Sequence, residues 1–70
     1  MRVNADGLGY REVDRLSNLM HAVADRGVAG DVVLCFGYDL REDVAYCVTA
    51  AGLRITSDNL TDYGFIDYNV

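Results

Sequence analysis

Two short apolar segments separated by a charged break constrain the fold of this chain more than any other feature. Residues 32–36 read Val-Val-Leu-Cys-Phe and residues 44–48 read Val-Ala-Tyr-Cys-Val, with the polar residues 39–43 between them. Short apolar segments rich in β-branched residues are typical of buried strands. Because a polar break joins two such segments, the pattern predicts a β-hairpin with its loop at residues 40–43.

The second segment also fits a helix. Its apolar residues recur at the spacing of one helix face, at Leu40, Val44, Cys47, Val48 and Ala51. In that alternative, Asp39 and Glu42 form a capping box and Gly52 ends the helix. Residues 44–49 alternate between two faces and include several types that prefer strands, so we favour the hairpin.

The clearest single element is a helix over Tyr10–Arg26. Its apolar residues fall three and four positions apart, on the face formed by Val13, Leu16, Leu19, Met20, Val23 and Ala24. The opposite face is predicted to be exposed and carries Arg11, Arg15, Asn18, Asp25 and Arg26. Gly27 directly after an arginine is typical of the end of a helix.

The two ends of the chain are less regular. Residues 1–9 are polar and contain two glycines close together, which predicts a flexible arm or a first short strand. Residues 53–56 fit a short strand or a helical turn, and residues 57–62 fit a polar connection. Apolar and polar residues alternate over residues 65–70, which predicts an amphipathic edge strand.

These elements predict one α+β domain over residues 1–70, with one amphipathic helix packed on a small antiparallel β-sheet. A chain of this length buries only about 60% of the surface that its unfolded form exposes. No apolar run approaches the roughly 20 residues of a membrane span, and the N-terminus lacks the apolar middle of a signal peptide. We therefore expect a cytoplasmic protein that makes no membrane contact.

The charge balance limits the class of partner. Eleven acidic residues oppose six arginines, without any lysine, and the net charge is -5. A negative body repels phosphate, so direct nucleic-acid binding is disfavoured unless a local basic patch overcomes the field. Acidic composition also aids solubility by itself, and this explanation needs no partner.

Residues suited to catalysis or metal binding do not form a recognised motif. The sequence has no nucleophile elbow, no phosphate-binding loop and no Cys-x-x-Cys pair. His21 lies at the edge of the apolar helix face and is predicted to be a boundary residue. A hairpin would bring Cys35 and Cys47 close, but both are expected to be free core thiols. We expect a non-enzymatic protein with no catalytic residue, no metal and no cofactor.

The order of elements in residues 10–52 matches a known arrangement. A helix that ends in Asp-Arg-Gly-Val at residues 25–28 is followed by an apolar segment, an acidic loop at residues 39–43 and a second apolar segment. This order resembles the recognition helix and wing of MarR-type winged-helix proteins. The resemblance implies DNA binding through cations of the helix, at Arg11, Arg15 and Arg26. Winged-helix proteins also use cations at the wing, whereas this loop carries three acidic residues beside one arginine.

The last third of the chain carries the candidate partner-binding residues. Acidic and aromatic side chains are interleaved there, at Asp58, Asp62, Tyr63, Asp67 and Tyr68. Tyrosines anchor interfaces at low entropic cost, and carboxylates beside them bind arginine or lysine of a partner. Glu42 and Asp43 are predicted as a second acidic contact. The alternative is that the aromatic rings pack on the helix and the aspartates form a solvated rim.

We therefore expect a small acidic inhibitor that covers a basic, nucleic-acid-binding surface of a protein partner. Proteins of this kind include phage-encoded inhibitors of host defence complexes, anti-CRISPR proteins among them, and this class is suggested by size and charge alone. Two alternatives remain. One is a degenerate winged-helix DNA-binding domain, and the other is a self-associating accessory protein whose edge strand over residues 65–70 pairs between copies.

Overall fold

One helix packs on one face of a four-stranded sheet in the computed structural model, which describes residues 1–69. The elements follow in the order β1 (Arg2–Val3), α1 (Tyr10–Arg26), β2 (Val33–Asp39), β3 (Val44–Thr49) and β4 (Arg54–Thr56), and then a 3-10 helix at Leu60–Tyr63. The predicted α+β class is confirmed, as is the helix with its predicted bounds.

The strands lie in the sheet in the order in which they occur in the chain. β2 and β3 pair antiparallel, as do β3 and β4, whereas β1 pairs parallel with β2. Parallel neighbours need a crossover connection, and α1 supplies it. The sheet is therefore mixed rather than wholly antiparallel, and of the two readings of residues 1–9 the short strand is correct.

The predicted hairpin is confirmed, and the helix alternative for residues 40–51 is wrong. β2 and β3 pair from Val33 with Thr49 up to Asp39 with Val44. The Asp39 side chain accepts the N–H groups of Arg41 at 2.9 Å and Glu42 at 3.1 Å. Local bonds of this kind stabilise a turn as readily as a helix start, which is why the sequence left both readings open.

The hairpin register places the two cysteines on opposite faces of the sheet. Cys47 pairs with Phe36 and is fully buried on the face that α1 covers. Cys35 is one residue before Phe36, so its side chain lies on the other face, where it is partly exposed. Both thiols are free, and burial raises the pKa of Cys47.

Helix α1 buries a stripe that is rotated from the predicted face. Its buried apolar residues are Leu16, Leu19, Ala22 and Val23. Val13 is 40% exposed, although it belongs to the predicted apolar face. Asn18 was predicted to be exposed, but only 8% of its surface is exposed because residues near the C-terminus lie over it. The helix ends where Gly27 adopts φ 65 and donates its N–H to Val23 O.

The core lies between α1 and the sheet, and the 3-10 helix closes it beside β4. Its largest fully buried side chains are Leu19, Cys47, Thr49, Ile55 and Leu60. Burial of one such aliphatic side chain stabilises the fold by about 1.5–3 kcal/mol. The described buried side-chain nitrogen and oxygen atoms all have a hydrogen-bond partner, so the small core carries no unpaired polar group of this kind.

The face of the sheet opposite α1 contains a close contact between two neighbouring strands. Gly37 of β2 pairs with Tyr46 of β3, and a Cβ atom at Gly37 would lie 2.6 Å from the Tyr46 hydroxyl. The Arg54 guanidinium carbon lies 5.4 Å from the centre of the same ring. Glycine is therefore required at position 37 for the ring of Tyr46 to lie flat on the strand beneath Arg54.

The predicted edge strand over residues 65–70 is wrong in its described part. Residues 65–69 form no strand, and Val70 lies outside the described residues. Gly64 turns the chain with a φ of 83°. The Phe65 residue that follows is buried, with 7% of its surface exposed. We call residues 57–69 the C-terminal segment. Its path is fixed by contacts with α1 rather than by the local alternation of residue types.

Candidate functional site

Four side chains converge at the hairpin turn, and we call them the Asp43 clamp: Arg11, Arg15, Tyr38 and Asp43. Arg11, in the first turn of α1, donates to both carboxylate oxygens of Asp43, at 2.8 and 2.6 Å. The Tyr38 hydroxyl donates to Oδ1 of the same carboxylate at 2.8 Å. Bidentate arginine–carboxylate bonds are among the strongest in proteins, and here they join α1 to the turn.

Arg15 completes the clamp from the next turn of α1. Its Nη1 donates to the Asp43 carbonyl oxygen at 2.7 Å and to the Tyr38 hydroxyl at 3.0 Å. Asp43 adopts φ 60, a left-handed conformation that is uncommon for residues other than glycine. Since its carboxylate and its carbonyl are both held, the clamp stabilises this conformation and with it the hairpin turn.

The clamp also sets the protonation of its members. The hydrogen bonds from Arg11 and then from Tyr38 hold the pKa of Asp43 well below its usual range. Burial, followed by the hydrogen bond to Asp43, raises the pKa of Tyr38. Asp43 is therefore an anion at neutral pH, and two arginines neutralise its charge.

The predicted second acidic contact, Glu42 and Asp43, lies at this clamped turn. Arg54 approaches Glu42 at 3.4 Å and Asp39 at 3.3 Å. The Glu42 side chain is 63% exposed, whereas the Asp43 carboxylate already accepts three hydrogen bonds. Each acidic side chain of the turn thus has an arginine partner. A role of Glu42 and Asp43 in partner binding stays a prediction.

Asp58 lies on a tight turn at the start of the C-terminal segment. The Thr56 hydroxyl oxygen accepts the N–H groups of Asp58 at 3.2 Å and Asn59 at 3.1 Å, which fixes the turn. The Asp58 side chain is 71% exposed, and Arg15 approaches it only to 3.8 Å. Exposed pairs at this distance contribute little stability, so the Asp58 carboxylate stays open to solvent.

The 3-10 helix carries Asp62 and Tyr63 on its surface and is held to the core by Leu60. Leu60 is fully buried in the core, while Tyr63 is 44% exposed and Asp62 is exposed. Within residues 1–69, Asp62 takes part in no ion pair and no side-chain hydrogen bond. These two side chains are therefore available to a partner without rearrangement of the fold.

Asn18 of α1 holds the end of the C-terminal segment. Its Nδ2 donates to Asp67 Oδ1 at 3.0 Å, and its Oδ1 accepts the N–H of Tyr68 at 2.9 Å. Both ends of the buried amide are used, and its burial makes each bond costly to lose. This contact explains why Asn18 is buried on a helix face that the sequence predicted to be exposed.

Tyr68 also packs against the surface of α1. Its ring lies 4.6 Å from the His21 ring in an edge-to-face arrangement, and its hydroxyl donates to Asp25. The bond to the Asp25 carboxylate raises the pKa of Tyr68. Even so, Tyr68 is 46% exposed, so one side of the ring stays accessible.

The five predicted contacts of the last third therefore have two environments. Asp58, Asp62 and Tyr63 face solvent, whereas Asp67 and Tyr68 are bound to α1. Ile66 is 59% exposed between these two groups, and the sequence pattern did not predict this exposure. The alternating pattern predicted a strand with Ile66 on its apolar face, so it did not indicate that Ile66 is exposed.

The three arginines of the winged-helix alternative all have partners within the chain. Arg11 and Arg15 belong to the Asp43 clamp. Arg26 donates to the Gly64 carbonyl oxygen and lies 5.2 Å from the centre of the Phe65 ring. A DNA phosphate would have to compete with these acceptors for each guanidinium group.

Three further observations concern the chain as a whole. Among the histidine, cysteine and carboxylate side chains of residues 1–69, no group of three is placed to hold a metal ion. No helix in the described part of the chain is long and apolar enough to span a bilayer. Comparison of the chain with protein-family models, with curated proteins and with solved structures finds no match.

Proposed function

We propose that this protein is a non-enzymatic binding protein that uses its C-terminal segment to cover a basic surface of a protein partner. The observation that carries the proposal is the pair of open carboxylates, Asp58 and Asp62, next to the half-exposed ring of Tyr63. A segment that combines free negative charge with accessible tyrosine fits a cationic protein surface.

The distribution of charge supports a cationic partner. The protein carries a net charge of -5, and no basic residue follows Arg54. Arg11 binds Asp43, and Arg15 approaches Asp58 only to 3.8 Å at an exposed position, where an ion pair is weak. The C-terminal segment carries three aspartates against the Arg26 guanidinium that lies on Gly64 and Phe65. Its net negative charge attracts arginine-rich and lysine-rich surfaces and speeds their association.

Three exposed apolar side chains supply the contact area that charge alone does not give. Tyr63, Ile66 and Tyr68 are 44%, 59% and 46% exposed. Buried aromatic residues at the centre of an interface dominate its binding energy. Since Leu60 and Asn18 already hold this segment in place, binding loses less conformational entropy than it would for a flexible tail.

The mechanism that we propose is occlusion. Surfaces that bind nucleic acid are rich in arginine and lysine, because these cations neutralise the phosphate charges and supply much of the affinity. A protein that covers those cations with aspartates and tyrosines excludes the phosphate backbone without any chemical step. The small size and the acidity of the chain support an inhibitor of the phage anti-defence class, to which anti-CRISPR proteins belong.

The test uses two double variants that change the charge equally. Asp58→Asn with Asp62→Asn removes the open carboxylates, and Asp6→Asn with Asp14→Asn removes two exposed carboxylates elsewhere. A partner is captured from host lysate with the wild-type chain, identified by mass spectrometry and purified. Its binding to nucleic acid is then measured by fluorescence anisotropy in the presence of each variant.

We expect the wild type and the Asp6/Asp14 variant to displace the nucleic acid equally, and the Asp58/Asp62 variant to need about tenfold or more protein. Equal potency of all three proteins would refute the role of the C-terminal segment. A captured partner that keeps its nucleic acid in the presence of the wild type would refute occlusion.

The winged-helix alternative makes a different prediction for the same purified chain. Duplex DNA would bind directly, with an affinity that falls steeply as salt rises and that drops on Arg15→Ala. Because Arg15 belongs to the Asp43 clamp, the folded state of that variant needs to be confirmed by circular dichroism. Salt-dependent binding of duplex DNA by the wild type would favour this alternative over the inhibitor.

A further inference from the structure

The backbone groups at the two edges of the sheet differ in whether they have hydrogen-bond partners. At the β4 edge, the Asn59 side chain takes the place of a neighbouring strand, since its Oδ1 accepts the Thr56 N–H at 2.7 Å and its Nδ2 donates to the Arg54 carbonyl oxygen at 3.4 Å. Edge strands with unpaired backbone groups tend to pair with other chains, and a side-chain cap of this kind prevents it.

At the β1 edge, no side chain of residues 1–69 forms a corresponding cap. Asn4 donates its N–H to Phe36 O at 3.0 Å, and backbone groups of successive residues in a strand point to opposite sides. The N–H and C=O of Val3 therefore point away from β2. β1 is the terminal strand of the sheet, so no strand of residues 1–69 lies beyond Val3.

An apolar cleft of about 530 Å³ lies beside this open edge, between α1, β2 and Met1, which precedes β1. Its apolar lining comes from Met1, Met20, Val23, Ala24, Val33 and Phe36. Next to it Met1 is 78% exposed and Val3 is 46% exposed. The cleft lining contains no carboxylate, although the protein as a whole carries a net charge of -5.

We propose that the β1 edge is a self-association surface on which a second copy of this chain docks by antiparallel pairing of β1 with β1. A twofold axis at Val3 lets the two Val3 residues exchange both backbone hydrogen bonds, as in a hydrogen-bonded antiparallel pair. Arg2 then faces Asn4 of the second copy, and Met1 faces Ala5. Like charges do not meet, and the two sheets join into one of eight strands.

Charge and symmetry favour a second copy as the occupant. Two bodies of this net charge repel each other across their acidic faces, whereas the β1 edge and its cleft carry only Arg2 and His21 as ionisable side chains. The edge offers one donor and one acceptor on the same residue, which is self-complementary. This surface differs from residues 65–70, whose alternating pattern predicted a self-associating edge strand.

The dimer would leave the proposed partner-binding surface free. β1 and β4 are at opposite edges of the sheet, and the C-terminal segment follows β4. Each dimer would therefore present two C-terminal segments. Failure of this inference is distinguishable from failure of the proposed function, since a monomer with intact inhibitory activity would overturn only the dimer.

The decisive variant is Val3→Pro. Because the Val3 N–H points away from β2, proline in both copies removes both hydrogen bonds between the two Val3 residues and none within the chain. Edge strands tolerate proline in that position. Sedimentation velocity from micromolar to millimolar concentration should show a dimer for the wild type. We expect the dissociation constant of the dimer to rise about tenfold or more in the variant, with an unchanged circular dichroism spectrum.

A matched pair of lysine variants separates the edge from general loss of apolar surface. Val3→Lys places a charge at the twofold axis and should abolish the dimer. Leu40→Lys changes an apolar side chain that is 70% exposed in the hairpin turn, and it should dimerise like the wild type. A wild type that stays monomeric at millimolar concentration, or a dimer that survives both Val3 variants, overturns the proposal.

A disulfide trap locates the contact. Hydrogen-bonded antiparallel pairs have Cα atoms about 5.5 Å apart, which suits a disulfide. In a Cys35→Ser background, Val3→Cys treated with oxidised glutathione should give a covalent dimer, whereas Arg41→Cys in the exposed hairpin turn should give none. Equal cross-linking of the two variants would place the contact elsewhere and overturn the proposal.

Discussion

The Asp43 clamp and the C-terminal segment use the same residue type in opposite ways. Asp43 is held by two arginines and a tyrosine, and it fixes the hairpin turn to α1. Asp62, within residues 1–69, has no ionic or side-chain hydrogen-bond partner, and Asp58 has only a distant one. Asp43 is therefore structural because α1 brings two arginines into close contact with it, whereas the exposed Asp58 and Asp62 are available for binding.

The difference follows from the spacing of charges on α1. Arg11 and Arg15 lie one helical turn apart, so both guanidinium groups reach the same hairpin turn. At the other end of the helix Arg26 binds a backbone carbonyl rather than a carboxylate. The arginines thus stabilise the framework, and the negative charge of the C-terminal segment is left for a partner.

The largest expected effect comes from removing the anchor of the C-terminal segment. Leu60→Ala leaves a cavity in the core and should lower the free energy of unfolding by about 2–5 kcal/mol, because Leu60 is fully buried. Urea denaturation followed by circular dichroism measures it. Leu40→Ala, at a position 70% exposed, is the control and should stay within about 0.5 kcal/mol of the wild type. Equal stability of the two variants would contradict the anchoring role.

The next effect concerns the attachment of Asp67 and Tyr68. Asn18→Ala removes two hydrogen bonds made by a buried amide and should cost about 1–3 kcal/mol of unfolding free energy. Amide hydrogen exchange should speed up at residues 66–69 and not in the hairpin. Ser17→Ala, on the exposed side of the same helix turn, should leave both measurements unchanged. Unaltered exchange in the Asn18 variant would show that the segment is held by other contacts.

The third effect is the dependence on pH of the stability that the Asp43 clamp contributes. The pKa of Asp43 is lower in the folded protein than in the unfolded chain, so the clamp stabilises fully above the ordinary carboxyl pKa of about 3.9 and less as the pH falls below it. Asp43→Asn keeps a residue that tolerates the left-handed conformation and should be less stable than the wild type at neutral pH. The two stability curves should converge in acid.

The matching change in the C-terminal segment serves as the control for that experiment. Asp62→Asn alters the same number of charges, but the difference from the wild type should be small at every pH because Asp62 is exposed. Unfolding curves in urea over a pH series measure both variants. A constant deficit of Asp43→Asn from neutral to acidic pH would mean that its ionisation does not contribute to stability.

The smallest effect on stability is expected where the largest effect on binding is proposed. Asp58→Asn with Asp62→Asn should change the free energy of unfolding by no more than about 0.5 kcal/mol, since both carboxylates face solvent. Thermal unfolding of the double variant beside the wild type tests this. A loss comparable to that of Asn18→Ala would show that these carboxylates support the fold and would remove the comparison on which the proposed function depends.

Local patterns predicted the elements of this fold that depend on neighbouring residues. The helix Tyr10–Arg26 follows from the spacing of its apolar residues and from Gly27, and the structure has the same bounds. The hairpin also follows from two apolar segments around a polar break. Each of these elements closes its hydrogen bonds over a short stretch of sequence, so its signal is contained in that stretch.

The features that the sequence did not predict depend on contacts between residues that are far apart in the chain. The Asp43 clamp joins Arg11 to a residue 32 positions away, and nothing in the hairpin turn alone indicated that Asp43 would be neutralised. Residues 65–69 alternate like a strand, yet Asn18 of α1 holds them instead. The candidate contacts Asp58, Asp62 and Tyr63 were found from composition, whereas the exposure of Ile66 depended on a turn at Gly64.

The contact between Gly37 and Tyr46 has a consequence for related chains. Because a Cβ at position 37 would lie 2.6 Å from the Tyr46 hydroxyl, an alanine can enter this strand only if the facing ring is lost or shortened. Homologous sequences should therefore show covariation at these two positions, with glycine accompanying tyrosine and larger residues accompanying smaller ones. The pair would serve as a marker of this hairpin in sequences too divergent to align by eye.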